Sequence, residues 1–205
     1  MLQNIILKVL ESNFTSKPGM AAAVMSACNR PSKRQEYIQQ LQQAGLDVHV
    51  YGSCGKPCPT ESSVPEDCYK ELSKTYKFFL SFENSMCKDY VTEKLFGALK
   101  QTWVPVVRGG ANYSIFVPER SVIDASSHSP AELAVILREI ASNETIYRSY
   151  LDWKKKFTSE LYNGSPRASA VWVCDACQKL RNITTKKNYE DIYSWWVVQG
   201  NCSTS

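Results

Sequence analysis

Short apolar runs alternate along the chain with segments whose apolar residues recur every three or four positions. The runs have the length of buried strands, whereas the segments between them, such as residues 33–44 with Tyr37, Ile38 and Leu41, have helical periodicity. Alternating strands and helices predict an α/β fold, a parallel sheet with helices on both faces. The predicted strands cover residues 21–26, 46–51, 77–82, 103–107 and 121–124, and further helices cover 68–75, a segment from 129 that includes Ile140, and 144–157.

The central stretch, residues 76–99, has the most informative pattern. The aromatic run at 77–82 predicts a buried strand, and the polar residues Glu83, Asn84 and Ser85 end it. Asp89 is placed to cap a following helix, whose apolar positions recur every four residues. The pattern therefore predicts a strand, a polar loop and a helix, with the helical apolar positions at Val91, Leu95 and Leu99.

Three side chains of this predicted helix could address a ligand. Tyr90 and Lys94 are four residues apart and would share one helical face, with Glu93 beside them but aimed differently. Ligands of open α/β sheets bind at the carboxyl ends of strands, and helix N-termini bind anions. The cluster suits a charged, sugar-bearing ligand. The alternative is an ordinary solvated loop, because any strand-to-helix connection is polar.

Composition narrows the class of protein. The 205 residues are 43% apolar and 21% charged, which is ordinary for a globular protein of one large or two small domains. The net charge of +4 is mild and is not concentrated in a basic stripe. Nucleic acid is therefore not expected as a partner.

Eight cysteines and six N-glycosylation sequons indicate a lumenal protein. Cys174 and Cys177 have the spacing of a metal or redox site, but no second such pair and only two histidines accompany them. Structural disulfides are favoured, and Cys54, Cys58 and Cys68 are expected to staple the loop at 52–67, with Cys87 as a further candidate and the pairing open. The sequons begin at Asn13, Asn112, Asn143, Asn163, Asn182 and Asn201.

The wording of the central stretch, FENSxxxDYVTEKL, resembles the donor-binding signature of the α1,3-fucosyltransferases, glycosyltransferase family 10, in an invertebrate-like form. The resemblance also includes VPVV with a following Asn-Tyr pair and a SYxxW element. It extends over residues 24–156 and more weakly to Cys177. The stretch from Cys174 to Cys177 resembles the family's C-terminal CxxC. It implies the Rossmann-like donor domain of the two-domain GT-B fold.

The resemblance assigns roles to individual residues. Arg34, with Arg30 as the fallback, and Lys94 would neutralise the phosphates of GDP-fucose, while Asn84 and Tyr90 would contact its nucleotide or sugar. Glu93 would face the donor and stabilise positive charge at the sugar ring. Glu83, Asn112 and Tyr113 are further expected contacts, and Asn112, although a sequon, is expected to stay unglycosylated if it lies in the cleft.

No cofactor is expected. No Asp-x-Asp metal motif occurs in the chain, so basic side chains would do the work of a metal and a divalent cation could at most stimulate the reaction. The resemblance divides the chain into a remnant or linker at 1–20, a GDP-fucose-binding domain at 21–160 and a Cys-containing extension at 161–205. The segment at 165–167 is expected to be a linker.

The activity that the resemblance implies is inverting transfer of L-fucose from GDP-fucose to N-acetylglucosamine of glycans in α1,3 linkage. The family's general base is a glutamate of an acceptor-side domain, which precedes the part that this chain matches, so we expect weak donor binding and slow or no turnover. An inactive GDP-sugar-binding fragment or pseudoenzyme is the alternative, and a GT-B enzyme for another nucleotide sugar is a third possibility.

The family also implies a location. Its members are type II membrane proteins of the Golgi lumen, held by an N-terminal anchor. Residues 1–10 contain an apolar stretch interrupted by Lys8, far short of the roughly 20 residues of a membrane span and without a signal-peptide cleavage site. We therefore expect neither an anchor nor a signal peptide in this chain.

Overall fold

A computed structural model describes residues 14–62, 64–157, 159, 166–183 and 188–202. The apolar stretch at 1–10 and the sequons at Asn13 and Asn163 lie outside these ranges. The strands are β1 (Gly19–Val24), β2 (Val48–Tyr51), β3 (Tyr76–Phe82), β4 (Val104–Arg108) and β5 (Ile123–Asp124). The helices are α1 (Arg34–Gln43), α2 (Pro65–Leu72), α3 (Glu93–Leu99), α4 (Pro130–Ser142), α5 (Glu144–Ser149) and α6 (Pro166–Asn182).

The five strands form one parallel sheet in the order β2-β1-β3-β4-β5. The chain passes from β1 to β2 on one side and then crosses back to β3 on the other side of β1. This reversal creates a topological switch point between β1 and β3, where the two crossovers leave in opposite directions. Ligands of such sheets bind in the crevice beyond the carboxyl ends of these strands.

Each face of the sheet carries its own core, as the sequence pattern predicts. On one face Ala21, Phe78 and Leu80 pack against α1, α4 and α5. On the other face Ala22 and Phe79 pack against α2 and α3, and the ring of Phe79 stacks on Trp103 at 4.4 Å between centroids. Successive residues of a strand point to opposite faces, so each of the pairs Ala21-Ala22 and Phe78-Phe79 contributes one side chain to each core. The predicted α/β fold with helices on both faces is confirmed.

Several element bounds differ from the predictions. The helix expected at 144–157 is divided into α5 and a 3-10 turn at Asp152–Lys155, and the short helix expected at 68–75 is α2, which begins earlier at Pro65. Pro105 is the second residue of β4, an interior strand, so a strand start is correct and an edge position is wrong. β4 tolerates it because β5 pairs only from Val106 onward.

The start of α4 is fixed locally. The Ser129 hydroxyl accepts a hydrogen bond from the Glu132 N–H, and the Glu132 carboxylate accepts one from the Ser129 N–H, which makes a capping box. Along α4, Leu133, Leu137 and Ile140 are buried, whereas Ile136 is only half-buried.

Six of the cysteines form three disulfides, Cys28–Cys54, Cys58–Cys68 and Cys87–Cys202. The expectation of structural disulfides is correct for these six. Cys174 and Cys177 are exposed free thiols one helical turn apart on α6, so the general preference for disulfides does not extend to them. The prediction of a linker at 165–167 is wrong for Pro166 and Arg167, which begin that helix.

The surface of the described residues has two features that concern location. The sequon asparagines 112, 143, 182 and 201 are exposed. No helix in the described ranges is long and apolar enough to cross a membrane.

Candidate functional site

A cavity of about 410 Å³ opens at the switch point of the sheet. Its walls come from the segments that follow three strands: Val24 and Ser26 at β1, Gly52 and Ser53 at β2, and Asn84 after β3. Helices α1, α2 and α3 complete it with Arg34, Glu66, Tyr69, Glu93, Lys94 and Gly97. The volume lies in the range of small-molecule sites, and the position is where open α/β sheets bind ligands.

The helix α3 begins later than the sequence pattern predicts. Asp89 does not cap it; its backbone has φ 58°, in the left-handed region, and it lies three positions before Thr92, the observed N-cap. Tyr90 therefore precedes the helix, and the prediction that it shares a helical face with Lys94 is wrong. The physical reason is a contact from the end of β3, outside the helix. The Glu83 carboxylate accepts hydrogen bonds from the Thr92 N–H and hydroxyl at 2.9 and 2.8 Å.

Glu83 holds the first turn of α3 in place. Its side chain is 1% exposed, and the Lys94 ammonium lies 3.5 Å from its Oε2 atom. A buried carboxylate is tolerable only when charge and donors surround it, and here Thr92 and Lys94 supply both. Glu83 thus supports Lys94 from behind the cavity wall, which it does not itself line.

Lys94 and Glu93 form the charged rim of the cavity. The Lys94 Nζ atom lies 3.2 Å from Glu93 Oε1 and donates to the Thr92 hydroxyl at 3.0 Å. Burial disfavours the charged Glu93 carboxylate, but the charge and hydrogen bond of Lys94 outweigh it, so the pKa of Glu93 lies below its usual value. Glu93 is therefore ionised at neutral pH.

Arg34 lines the same cavity from the start of α1. Its residue is 3% exposed, and its guanidinium donates to the carbonyls of Phe82 at 3.0 Å and Ala27 at 2.8 Å. Burial lowers the pKa of Arg34, and the charge of Glu83 opposes that shift. The two bonds use only part of the five N–H donors of a guanidinium, so the group can also serve an anion in the cavity.

The loop before α1 is fixed to the neighbouring strands. Ser32 donates its hydroxyl to the Glu83 carbonyl at 2.7 Å and its N–H to the Asn84 carbonyl at 3.3 Å. The Arg108 guanidinium donates to the Ser32 carbonyl at 2.6 Å and lies over the Tyr37 ring. These contacts hold the Arg34 end of α1 against the end of β3.

Asn84 contributes an amide at the mouth of the cavity. Its Oδ1 atom is buried and accepts no hydrogen bond from the part of the chain that the structure describes. Buried carbonyl oxygens are nearly always hydrogen-bonded in native proteins. This atom can therefore accept a hydrogen bond from a ligand. A ligand hydroxyl in the cavity would satisfy it.

The structure brings together only some of the predicted site residues. Arg34, Asn84, Glu93 and Lys94 line one cavity, and Glu83 lies directly behind them. Arg30, the fallback for Arg34, is exposed and does not line it.

Three other predicted contacts lie outside this cavity. Tyr90 lines a second cavity. Asn112 is exposed, and its Oδ1 atom accepts hydrogen bonds from the Ser114 N–H and hydroxyl. Tyr113 is buried, and burial raises its pKa. The absence of a glycan on Asn112 remains a prediction.

Sequence reasoning missed the β2 and α2 side of the cavity. Ser53, Ser62, Glu66 and Tyr69 line it, although their segment carries no recognisable chemistry in the sequence. Gly52 was the available signal, because it ends β2 with φ +86° and a Cβ atom there would lie 2.7 Å from the Met25 carbonyl oxygen. Such a close approach brings the segments after β1 and β2 together.

Metal ligands are not concentrated in this site. The described part of the chain contains no group of three His, Cys, Asp or Glu side chains able to hold a metal ion. The acidic side chains that line the cavity are Glu66 and Glu93, and Lys94 already contacts Glu93.

The family model of the glycosyltransferase family 10 (fucosyltransferase) C-terminal region matches residues 14–195. The chain belongs to this family. The match includes every strand of the sheet and every residue placed in the cavity. It also confirms the resemblance drawn from the FENSxxxDYVTEKL wording.

Curated relatives of this family member are α1,3-fucosyltransferases. Alpha-(1,3)-fucosyltransferase C of Drosophila melanogaster is 37% identical over 187 residues, which are 89% of this chain and 41% of the relative. Glycoprotein 3-alpha-L-fucosyltransferase A of the same organism is 35% identical, over 92% of this chain and 37% of the relative. The human 4-galactosyl-N-acetylglucosaminide 3-alpha-L-fucosyltransferase 9 is 34% identical, over 88% and 48%. The chain thus spans less than half the length of these relatives.

The chain shares its fold with an α1,3-fucosyltransferase of known crystal structure. A crystal structure of an α1,3-fucosyltransferase with GDP-fucose superposes with a TM-score of 0.61 at 19% identity, over 92% of this chain and 54% of the other. A crystal structure with GDP gives the same TM-score at 20% identity. The predicted GT-B donor-domain fold is confirmed.

Proposed function

We propose that this chain is the donor-binding part of an α1,3-fucosyltransferase, which transfers L-fucose from GDP-fucose to N-acetylglucosamine of glycans with inversion. The observation that carries the proposal is the placement of Arg34 and Lys94 on one cavity at the switch point of the sheet. Family membership and the names of the curated relatives support the sugar and the linkage.

The two cations fit the leaving group of the reaction. Cleavage of the bond between fucose and GDP leaves a pyrophosphate whose negative charge must be stabilised. Lys94 is held by Glu83 and Thr92, and Arg34 by two backbone carbonyls, so neither group needs to reorganise as charge develops. Such preorganised donors lower the barrier more effectively than flexible surface cations.

Two neighbouring groups suit the sugar. The Asn84 Oδ1 atom can accept a hydroxyl of the ribose or the fucose. Glu93 presents an ionised carboxylate at the rim, where it would stabilise the positive charge of an oxocarbenium-like transition state. Tyr90, Asn112 and Tyr113 would act from outside this cavity.

The base that deprotonates the acceptor hydroxyl is assigned to the acceptor-side half of the longer relatives. Inverting transfer needs a carboxylate on the face opposite the leaving group. Glu66 and Glu93 are the cavity carboxylates of the described residues, and Glu93 is paired with Lys94 on the donor side. The 205-residue chain by itself should therefore bind GDP-fucose weakly and transfer fucose slowly or not at all.

No metal cofactor is needed in this proposal. Arg34 and Lys94 supply the positive charge that a metal supplies in other sugar-nucleotide enzymes. A divalent cation would at most stimulate the reaction, and EDTA should leave GDP binding unchanged.

We place the protein in the Golgi lumen, as the family implies. Three disulfides and four exposed sequon asparagines support an oxidising, glycosylating compartment. Any membrane attachment would come from a segment other than the described helices.

An inactive GDP-sugar-binding protein is the second candidate. It is favoured by one observation: Glu93, the carboxylate at the cavity rim, is already paired with Lys94 on the donor side. Both candidates predict donor binding, and only an enzyme predicts a fucosylated product.

The test is a competition and a transfer assay on the same protein. Saturation-transfer NMR should detect GDP-fucose, and GDP but not UDP should displace it. After prolonged incubation with GDP-fucose and N-acetyllactosamine, even a trace of fucosylated product in the mass spectrum would favour the enzyme, because an inactive protein forms none. Equal displacement by UDP-galactose would contradict the GDP-fucose assignment.

A further inference from the structure

A second cavity, of about 740 Å³, lies between the loop that follows β3 and the C-terminal segment. The Cys87–Cys202 disulfide joins its two walls across 115 residues of sequence. The Lys88 N–H also donates to the Gly200 carbonyl at 2.7 Å. The cavity is therefore built by covalent and backbone contacts, not by loose apposition of a terminal segment.

The lining of this second cavity combines aromatic rings with polar groups of both signs. Tyr90, Trp195 and Trp196 supply the rings, and Lys88, Asp89 and Gln199 the polar groups. The ring centroid of Trp195 lies 4.2 Å from that of Tyr189 and 5.6 Å from that of Trp196, so the aromatic wall is packed before any ligand arrives. Trp196 nevertheless remains 58% exposed.

This mixture fits a neutral ligand with an apolar face and a ring of hydroxyls. A pyranose can lay its C–H face on a tryptophan while its hydroxyls meet a carboxylate, an amide and an ammonium. The apolar face of a protein helix fits worse, because Lys88, Asp89 and Gln199 would lose water without gaining partners. Opposite charges of Lys88 and Asp89 also give no preference for a phosphate.

The position of the second cavity relative to the first indicates which sugar-containing ligand the second cavity binds. Asn84, Glu93 and Lys94 line the first cavity, while Ser85 and Tyr90 line the second, so both flank the loop between Glu83 and Thr92. A transferase must hold two ligands side by side. We propose that the second cavity binds a pyranose ring of the acceptor glycan; this rests on the proposed function and adds a glycan contact from the donor half.

The test uses N-acetyllactosamine as the probe and the whole 205-residue chain. Saturation-transfer NMR and titration should show binding to the wild-type chain. Trp196→Ala should weaken it by about fivefold or more, as expected for loss of an aromatic anchor, and leave GDP affinity unchanged. Tyr193→Ala is the matched control, because Tyr193 is an exposed aromatic residue of the same segment that does not line the cavity.

The outcomes separate this proposal from the proposed function. GDP binding without N-acetyllactosamine binding overturns the glycan site and leaves the donor site standing. An equal loss in Tyr193→Ala, or a Trp196→Ala variant that changes only the self-association of the chain in sedimentation, also overturns it. Binding of neither ligand by a folded chain overturns both proposals.

Discussion

The Thr92 hydroxyl donates to the buried Glu83 carboxylate at 2.8 Å, and through this contact the end of β3 fixes the start of α3. The same hydroxyl caps the Lys94 N–H, so one side chain connects strand, helix and the cation of the cavity. The position of Lys94 in the cavity wall therefore depends on a residue that has no charge and does not line the cavity.

Thr92→Val should destabilise the chain and weaken GDP binding together. Valine keeps the shape and the backbone N–H bond to Glu83, but it removes the hydroxyl donor of Glu83 and the side-chain cap of α3, at a cost of about 1–3 kcal/mol. Urea denaturation measures the change in unfolding free energy. Thr92→Ser, which keeps the hydroxyl, is the control, and a serine variant as weak as the valine variant would argue against this hydrogen bond.

Arg34→Met should lower both the stability of the fold and the affinity for GDP more than Arg30→Ala does. Methionine leaves the carbonyls of Phe82 and Ala27 without their donor and removes a cavity cation, which should cost about 1–3 kcal/mol of stability and most GDP affinity. Arg30 is exposed and outside the cavity, so its removal should change neither quantity. Calorimetric titration with GDP compares the two, and a larger loss in Arg30→Ala would transfer the phosphate role to Arg30.

The unfolding free energy should rise as the pH is raised from about 7 towards 10. Burial, with the charges of Lys77 and Lys154, lowers the pKa of Lys17 to about 7, and burial lowers that of Lys154 to about 7. Their ordinary value is 10.5, so between these limits the unfolded chain binds more protons than the folded chain, and stability increases with pH.

Each lysine contributes a slope of up to about 1.4 kcal/mol per pH unit in that window. Urea denaturation at several pH values measures it. Lys17→Met should flatten the profile, whereas Lys100→Met, at an exposed lysine, should not. A wild-type profile that is level between pH 7 and 9 would show that both lysines stay charged in the fold.

Removal of the Cys87–Cys202 bond should cost more stability than removal of Cys58–Cys68. The first closes a loop of 115 residues and the second a loop of 10. Chain entropy then gives a difference of about 2 kcal/mol, because the longer loop restricts the unfolded state more. Paired Cys→Ser variants compared by denaturation test this order, and the reverse order would mean that the C-terminal segment contributes little to the fold.

Local patterns predicted the fold well. Phe78 and Phe79, like Ala21 and Ala22, alternate between two cores, as a two-sided parallel sheet requires. Ser129 and Glu132 form a capping box that marks the start of α4 within four residues. These signals are short-range, so a sequence alone contains them.

Contacts between distant residues escaped prediction. Asp89 was the better local candidate for a helix cap, but Glu83 selects Thr92, and no local pattern encodes that choice. The partners of Cys87 and of the C-terminal tryptophans depend on how residues 115 positions apart meet. For the same reason the sequence did not predict the β2 and α2 wall of the cavity at the switch point.

The most direct test of the donor-site assignment is calorimetric titration of the oxidised chain with GDP and with UDP. We expect heat with GDP alone, with affinity reduced about tenfold or more in Lys94→Ala and unchanged in Lys100→Ala, whose lysine ends the same helix outside the cavity. Equal binding of UDP, or GDP affinity untouched by Lys94→Ala in a folded protein, would contradict the account.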